Sequence, residues 1–390
     1  MNYRSNELRM NCLDEKRFAR TWAALRQAHA EGVAPGFVAG FWTQTDSEQI
    51  SVAALGERRT HPDTLPRLPM LEETVFDLAS LTKVMGTATL AALLVDRGWL
   101  RWNAPLEAYL PEVIASGVTV AHLLSHTAGY VAWQPLWERM RERFAGQPLE
   151  SVTVSMRQKA MRDFVSQIRP DVKPGERVVY SDISFLLLGF VLEEVAQLPL
   201  DEAISKWVWS PMGLETATFR RVTCDPAHGR DDLCAATEIC NWRGGVLQGQ
   251  VHDDNCWAMG GYAGHAGAFG SIRDVLQFAR ALVGGPGRPG FLSPEVRQSM
   301  WNTVSSPVGC GRTLGWDTPT DQNSSVGERF SRNSVGHLGF TGTSLWIDRD
   351  AGLAVSLLSN RVHPSRENPK LKAFRPVFHD ALCTDLSLLG

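Results

Sequence analysis

The alternation of apolar and polar residues predicts a paired-strand unit close to the start of the chain. Apolar positions at helical spacing predict a helix over residues 14–31, with Asp14 as its N-cap. A turn signal then introduces a strand over 35–42, and residues 49–58 have the pattern of its hairpin partner. Residues 59–74, which are rich in proline and threonine, predict a loop.

The middle of the chain is mostly helical in pattern. The predicted elements, in order, are a short helix over 118–130 that ends at Gly129, helical segments within 131–170, a Pro-Gly turn and helix within 173–197, an irregular segment over 220–256, an amphipathic helix over 271–283 and a flexible loop over 284–290. Ser181 or Asp182 is the predicted cap of the helix within 173–197, because apolar residues follow at helical spacing.

The end of the chain returns to strands. Residues 344–350 and 353–360 predict two strands, and a final helix is expected near 370–384. The simplest packing joins the strands from both ends of the chain in one antiparallel sheet, with helices on its faces and the helical middle inserted as a second lobe. The predicted fold class is therefore α/β, of the α+β kind.

A chain of 390 residues favours two subdomains over one large core. The division that we predict places residues 1–75 and 260–390 in an α/β sheet lobe. Residues 76–259 form a mostly helical lobe, and a functional site is expected at the interface between the two lobes.

The stretch "ASLTKVMGTATLAALLVDRGWL", residues 79–100, predicts a helix that is apolar on nearly every side. A helix of this kind is normally buried, and Gly98 provides a stop signal. Ser80 and Lys83 are three residues apart and therefore face the same way at the start of this helix. A hydroxyl and an amine at the mouth of a buried helix are costly unless the pair is used or satisfied.

Composition and charge exclude several function classes. The chain is 44% hydrophobic and 21% charged, with a net charge of −3, so it lacks the basic field of a nucleic-acid-binding protein. The apolar run around residues 84–95 is too short to cross a membrane, and the polar N-terminus lacks the apolar core of a secretory signal. We therefore expect a cytoplasmic protein with no nucleic-acid or membrane partner, of undetermined oligomeric state.

The seven cysteines are odd in number, and their spacing fits no zinc template. Cys224, Cys234 and Cys240 are close together in the chain. Reduced structural thiols are the expected state in a cytosolic protein.

Three short motifs carry the chemistry. Ser80 and Lys83 form an S-x-x-K tetrad, Tyr180-Ser181-Asp182 begins a buried helix, and His337-Leu338-Gly339 precedes a predicted strand. Together they resemble the motifs of the serine β-lactamase and penicillin-binding protein superfamily. The tyrosine form of the second motif is similar to the class C β-lactamase-like branch, which includes D-alanyl-D-alanine carboxypeptidases, D-aminopeptidases and esterases. The resemblance spans roughly residues 35–380.

This resemblance implies a β-lactamase/transpeptidase-like fold and a serine hydrolase without a cofactor or a metal. Ser80 is the implied nucleophile, and its substrate would be a small ester, an amide or a D-amino-acid peptide. The implied oxyanion hole consists of the backbone N–H groups of Ser80 and Phe340, and Gly339 allows the substrate to approach the strand edge.

The proton of Ser80 needs an acceptor, because a serine hydroxyl is by itself a poor nucleophile. Lys83, partly removed from water, is expected to have a lowered pKa and to serve as a base. The phenol of Tyr180 is a second candidate, as base in acylation and as acid toward the leaving group. The residues leave the division of labour between Lys83 and Tyr180 open.

Two residues depart from the family pattern. Asp182 stands where many relatives carry asparagine, and an ionised aspartate pairs more naturally with Lys83 than with a substrate carbonyl. His337 replaces the common lysine and would favour a substrate carboxylate only when protonated, so its charge is expected to change near neutral pH. This substitution weakens the case for a dedicated β-lactamase or a strict carboxypeptidase, and carboxypeptidase, D-aminopeptidase, esterase and weak β-lactamase activities all stay open.

Other hypotheses rest on residues outside these motifs. His252, Asp253, Asp254 and His265 would be the ligands of a metallohydrolase, although a hydrogen-bonded loop at the wall of the active site is the preferred interpretation. An alternative of a different class is a non-catalytic ligand-binding or scaffold protein of the same fold. The intact set of Ser80, Lys83 and Tyr180 argues against it.

Two residues after the last predicted strand, Arg361 and His363, are candidates for contact with the substrate.

Overall fold

The computed structural model describes residues 9–46, 48–224, 231–284, 289–304, 307 and 311–387. Its largest element is a seven-stranded sheet in the order β1-β3-β2-β12-β11-β10, with β4 paired to β3 outside this path. A three-stranded sheet (β5-β9-β6) and a hairpin (β7-β8) complete the strands of the described residues. The strands are β1 Arg9–Cys12, β2 Gly36–Thr43, β3 Gln49–Arg59, β4 Leu68–Pro69, β5 Phe76–Asp77, β6 Thr218–Phe219, β7 Ala236–Cys240, β8 Gly245–Gln248, β9 Ala268–Gly270, β10 Val335–Leu338, β11 Ser344–Asp348 and β12 Leu353–Ser359.

Most helices lie in the middle of the sequence. They are α1 Ala19–Ala30, α2 Thr89–Asp96, α3 Val120–Leu124, α4 Leu136–Arg143, α5 Val154–Ser166, α6 Asp182–Ala196, α7 Leu200–Ile204, α8 Ser210–Met212, α9 Asp254–Ala258, α10 Ile272–Val283, α11 Pro294–Trp301 and α12 Leu371–Ser387. Two π-helical stretches, Lys83–Ala88 and Ser205–Trp209, lead into α2 and α8. Short 3-10 turns occur at Leu106–Ala108 and Leu149–Ser151.

Both faces of the large sheet are buried, as β2 illustrates. Phe37, Ala39 and Phe41 point into a core that also contains residues of α1 and α12. Val38 and Trp42 alternate with them and point into the larger core formed with the helical middle of the chain. Because neighbouring side chains of a strand point to opposite faces, this alternation places apolar side chains in both layers.

The strands from the two ends of the chain join as predicted. Strand β2 is antiparallel both to β3, its hairpin partner, and to β12 from the end of the chain. Three strands of this sheet were not predicted: β1, which pairs with β3 in parallel, β4, which lies in the predicted loop 59–74, and β10, which pairs with β11.

Two predicted helix boundaries require correction. Asp14 accepts a hydrogen bond from the Arg17 backbone, but the helix that follows begins only at Ala19. The helix predicted over 118–130 covers only Val120–Leu124, because Ser125, His126 and Thr127 turn the chain and His126 adopts a positive φ of 58°.

The segment 220–256 is also more regular than predicted. Among its described residues, β7 and β8 form a hairpin and α9 begins at Asp254. Residues 225–230 of this segment and residues 285–288 of the predicted flexible loop lie outside the described residues.

No single helix in the described part of the chain is long and apolar enough to cross a membrane. The pair Asp182–Ala196 and Leu200–Met212 meets the length and composition criteria only when taken together across a bend of 71°. Six cysteines are described, all with free thiols, and Cys310 lies outside the described residues.

Candidate active site

Ser80 lies in a tight connection between β5 and the buried helix. The carboxylate of Asp77 accepts hydrogen bonds from the N–H of Ala79 at 2.9 Å and from the N–H of His252 at 2.6 Å. Ala79 has a positive φ of 47°, and its carbonyl accepts from the Thr82 hydroxyl at 2.6 Å. The strand therefore turns sharply into the helix, which leaves the side chain of Ser80 partly exposed at the start of a buried element.

Lys83 is fully buried and uses all three of its N–H donors. Its Nζ lies 3.0 Å from Ser80 Oγ, 2.8 Å from Asp182 Oδ1 and 3.1 Å from the carbonyl oxygen of His265. Burial by itself lowers the pKa of Lys83, but Asp182 and Tyr180 outweigh it, and the pKa is raised above its usual value. The expected lowering of this pKa was wrong, because the sequence does not reveal how closely the carboxylate approaches.

Tyr180 lies beside this lysine. The ammonium of Lys83 is 4.9 Å from the centre of the phenol ring, and the guanidinium carbon of Arg312 is 5.8 Å from it. The rings of His126 and His337 lie at 4.4 and 5.9 Å from the ring of Tyr180. The phenol is thus bordered by two cations and two imidazoles. Arg312 and His126 are not among the site residues predicted from the sequence.

The two histidines are buried and neutral at neutral pH. Burial lowers the pKa of His126 well below its usual value, and burial with the nearby charges of Lys83 and Arg312 lowers the pKa of His337 to about 3. His337 Nδ1 donates to the carbonyl of Leu338 at 2.9 Å. The expectation that His337 changes its charge near neutrality was therefore wrong, since a buried imidazole among cations resists protonation.

Asp182 occupies the first turn of α6. Ser181 caps this helix by accepting from the N–H of Ser184 at 3.2 Å, and its own N–H donates to His126 Nδ1 at 3.0 Å. The Asp182 side chain is thereby aimed at Lys83, where it makes the ion pair that the sequence suggested.

Gly339 and Phe340 lie in the turn between β10 and β11. This turn is joined to the chain that precedes Ser80, because Thr341 Oγ1 donates to the carbonyl of Asp77 at 2.7 Å and Thr343 Oγ1 donates to that of Leu78 at 3.0 Å. A side chain at Gly339 would meet the Leu78 carbonyl oxygen at 2.7 Å, so only glycine allows this close approach.

Phe340 is half exposed between two partners. Its ring lies 5.6 Å from the ring of His252 and 4.5 Å from the guanidinium carbon of Arg361. Arg361 Nε also donates to the Phe340 carbonyl at 2.9 Å. Among the described residues, no acceptor receives the backbone N–H of Ser80 or of Phe340.

A family model with the description Beta-lactamase matches residues 21–376 of the chain. The chain belongs to the beta-lactamase family. The superfamily resemblance and the fold class predicted from the sequence are confirmed, and this family membership supports a hydrolase of the serine type.

Individual relatives of this beta-lactamase-family chain have several named activities. A putative D-alanyl-D-alanine carboxypeptidase from Salmonella agona is 27% identical over 323 residues, which cover 76% of this chain and 72% of the relative. The solved structure of EstCE1, a hydrolase with promiscuous acyltransferase activity, matches 93% of this chain and 99% of its own with a TM-score of 0.68 and 24% identity.

A third relative is the octameric penicillin-binding protein homologue from Pyrococcus abyssi. It matches 91% of this chain and 75% of its own with a TM-score of 0.67 and 21% identity. The two structural likenesses establish the fold of this beta-lactamase-family chain.

The four residues of the metal hypothesis have separate partners in this beta-lactamase-family chain. His252 Nε2 lies 3.1 Å from Glu238, whereas Asp254 accepts from Arg243 at 2.8 Å. His265 Nε2 lies 2.9 Å from Asp253, which also caps α9. The four side chains therefore do not converge on one point.

A different group of possible ligand atoms surrounds the lysine. Asp182, Asp253 and His265 each place one such atom within 4.8 Å of the others. The ammonium of Lys83 binds Asp182 and the carbonyl of His265, so a cation from the chain itself already lies in this group.

The two remaining candidates after β12 differ in their contacts. Arg361 contacts Phe340, as described above. His363 instead ties loops together, because its Nε2 accepts from the N–H groups of Thr60 and His61 at 3.0 and 3.1 Å. Its Nδ1 also lies 2.8 Å from the carbonyl oxygen of Thr237, so both ring nitrogens are used within the fold.

Proposed function

We propose that this chain is a serine hydrolase of the class C β-lactamase-like branch, with Ser80 as nucleophile. The observation that carries the proposal is the 3.0 Å contact between Lys83 Nζ and Ser80 Oγ, made by a lysine that is fully buried. An ammonium donor oriented toward a hydroxyl at the mouth of a buried helix serves no packing purpose, and it leaves the hydroxyl proton free for another acceptor.

Tyr180 is the proposed base. A protonated Lys83 has no lone pair and cannot accept the serine proton, whereas a Tyr180 phenolate can, and its charge is balanced by the ammonium of Lys83 beside it. Ser80 Oγ then bonds to the substrate carbonyl carbon as its proton passes to the phenolate oxygen of Tyr180. The bond between the carbonyl carbon and the leaving group breaks, and the leaving group takes that proton from Tyr180, which returns to the phenolate. Water enters by the reverse route, breaks the acyl–Ser80 ester and restores the free enzyme.

The N–H groups of Ser80 and Phe340 are the proposed oxyanion hole. Both lack an acceptor among the described residues, and the turn that holds Phe340 is hydrogen-bonded to Asp77 and Leu78 just before Ser80. Such donors stabilise the negative oxygen of a tetrahedral intermediate. We propose that the substrate lies between the part of the chain that carries Ser80 and Tyr180 and the part that carries Phe340.

The proposed substrates are small esters and amides, D-amino-acid peptides among them, with no requirement for a free carboxylate. His337 is uncharged at neutral pH and does not attract a carboxylate. Arg312, the other cation near Tyr180, is paired with Asp317. These features favour an esterase or aminopeptidase over a strict carboxypeptidase, the activity in the name of the Salmonella relative.

Intact mass spectrometry after incubation with p-nitrophenyl esters, β-lactams and D-alanyl peptides tests the proposal. We expect an added acyl mass on the peptide that contains Ser80, and turnover that falls by several orders of magnitude in Ser80→Ala. Ser151→Ala is the matched control, because the one hydrogen bond of that hydroxyl among the described residues is to the carbonyl of Pro148. Normal turnover in folded Ser80→Ala would overturn the proposal.

A further inference from the structure

We propose that Arg375, on α12, is a positioning residue that orients the backbone N–H of Phe340 for oxyanion stabilisation. The inference rests on the proposed function, because it concerns one half of the oxyanion hole. It adds a residue that lies outside the three motifs and has no direct part in the chemistry.

Arg375 binds the turn that carries Phe340 from behind. The side chain is about nine-tenths buried, with 9% of the residue exposed, and its Nη2 lies 3.2 Å from the carbonyl oxygen of Gly339 and 3.1 Å from that of Thr343. The N–H of Gly342 donates to the same Gly339 carbonyl at 3.1 Å. The orientation of this carbonyl is therefore fixed by two donors.

The direction of the Gly339 carbonyl determines the direction of the next N–H. A peptide unit is planar and trans, so the C=O of Gly339 and the N–H of Phe340 point in opposite directions. Because the carbonyl points toward Arg375, the N–H points away from α12. This N–H has no acceptor among the described residues, so it remains available for an incoming oxygen.

The other half of the proposed hole is oriented in the same way. The carbonyl of Ala79 accepts from Thr82 through both the hydroxyl, at 2.6 Å, and the N–H, at 3.0 Å. The N–H of Ser80, in the same peptide plane, consequently points the opposite way and also lacks an acceptor within the described part of the chain. The direction of each N–H donor is thus fixed by a residue that donates a hydrogen bond to the carbonyl of the same peptide unit.

The charge of Arg375 adds to this orientation. Burial and the nearby Arg361 lower the pKa of Arg375 to about 10, which leaves the guanidinium cationic at neutral pH. A hydrogen bond from a cation is stronger than one from a neutral donor, particularly away from water. A neutral donor at this position should therefore hold the Gly339 carbonyl less firmly.

The test compares Arg375→Gln and Arg375→Lys with wild type on a neutral p-nitrophenyl ester. The matched control is Arg157→Gln, since Arg157 is a fully buried arginine whose Nη2 donates to the carbonyl of Val222 and which has no contact with the turn. We expect kcat to fall by about 10- to 100-fold in Arg375→Gln, with KM within about threefold, because loss of one oxyanion donor costs about 10²- to 10³-fold.

A boronic acid that forms a tetrahedral adduct on serine supplies the second readout. Its inhibition constant should rise by the same factor as kcat falls in Arg375→Gln, and Arg375→Lys should recover part of both losses. Arg157→Gln should change neither quantity, even where its melting temperature falls as far as that of the Arg375 variants. If the glutamine variant does not fold, kcat and the boronate inhibition constant of Arg375→Lys test the inference in its place.

The inference is overturned if either folded Arg375 variant keeps wild-type kcat and boronate affinity, or if Arg157→Gln loses both to the same degree. Failure of the proposed function looks different. In that case wild type itself gives no adduct on Ser80 with esters or boronate, and the role of Arg375 falls with it.

Discussion

Lys83 Nζ and Asp182 Oδ1 lie 2.8 Å apart, and this ion pair determines the protonation state of the lysine that faces Ser80. The carboxylate opposes the effect of burial and keeps the lysine protonated. An ammonium at this point donates to Ser80 and leaves proton abstraction to Tyr180. The assignment of roles in the proposed mechanism therefore depends on a residue that many relatives replace by asparagine.

Asp182→Asn should move the alkaline limb of the kcat/KM profile to lower pH. Asparagine carries no charge, so burial of Lys83 is less opposed and the pKa of the lysine falls. The ammonium that stabilises charge on Tyr180 is then lost at a lower pH than in wild type. The measurement is kcat/KM for a neutral p-nitrophenyl ester from pH 6 to the alkaline limit of the folded protein.

Asp163→Asn is the control for this profile, because Asp163 pairs with Lys159 on the exposed face of α5. It should leave the profile unchanged. Higher activity of Asp182→Asn than wild type at neutral pH would identify the neutral lysine, rather than Tyr180, as the base.

Tyr180→Phe should reduce kcat by about 10²- to 10⁴-fold with little change in KM, since a general acid–base group acts in the transition state. Tyr130→Phe is the matched control. Tyr130 is buried, and its hydroxyl has no partner among the described residues, so its removal should leave activity intact. Steady-state kinetics on one ester with both variants makes the comparison, and equal activities would make Tyr180 a packing residue.

The sequence predicted those parts of the site that depend on local pattern. Ser80 and Lys83 share one helical turn, and Asp182 begins a helix whose cap, Ser181, is visible in the sequence. Neither the pKa of Lys83 nor that of His337 could be predicted in this way. Each depends on a balance between burial and charges that only the folded chain brings together.

Contacts between segments that are far apart in the sequence could not be predicted for the same reason. Arg375 lies 36 residues beyond the Gly339 carbonyl that it binds, in a helix with no motif of its own. The hairpin β7-β8 was missed because its strands have only five and four residues and carry little alternation.

Substrates with a free carboxylate should gain no advantage as the pH falls. With the pKa of His337 near 3, the imidazole stays neutral between pH 8 and 5.5. The ratio of kcat/KM for the p-nitrophenyl half-ester of glutaric acid to that for p-nitrophenyl valerate should therefore stay constant over this range, because titration of the shared catalytic groups cancels. His337→Gln should give the same flat ratio, whereas a ratio in wild type that rises below about pH 6.5 would show that this histidine titrates near its ordinary value.

The stability of the fold should decrease as the pH falls below about 6.5, and His379 on α12 is one cause. This residue is fully buried, neither ring nitrogen has a partner among the described residues, and burial with the nearby Arg375 lowers its pKa to about 3. The unfolded chain binds a proton on this imidazole below about pH 6.5, whereas the folded chain does so only near pH 3. Acid therefore favours the unfolded state throughout this window.

His379→Phe should flatten this dependence. One proton bound only by the unfolded state corresponds to about 1.4 kcal/mol per pH unit, so the slope of the free energy of unfolding between pH 5.5 and 4.5 should fall by about that amount. His126, His337 and His363, which are also buried with lowered pKa values, contribute to the rest of the slope. Urea unfolding at pH 8, where no proton is bound to this imidazole in either state, measures the effect of the larger ring on packing separately from the effect of pH. An unchanged slope at low pH would show that His379 is protonated in the folded chain.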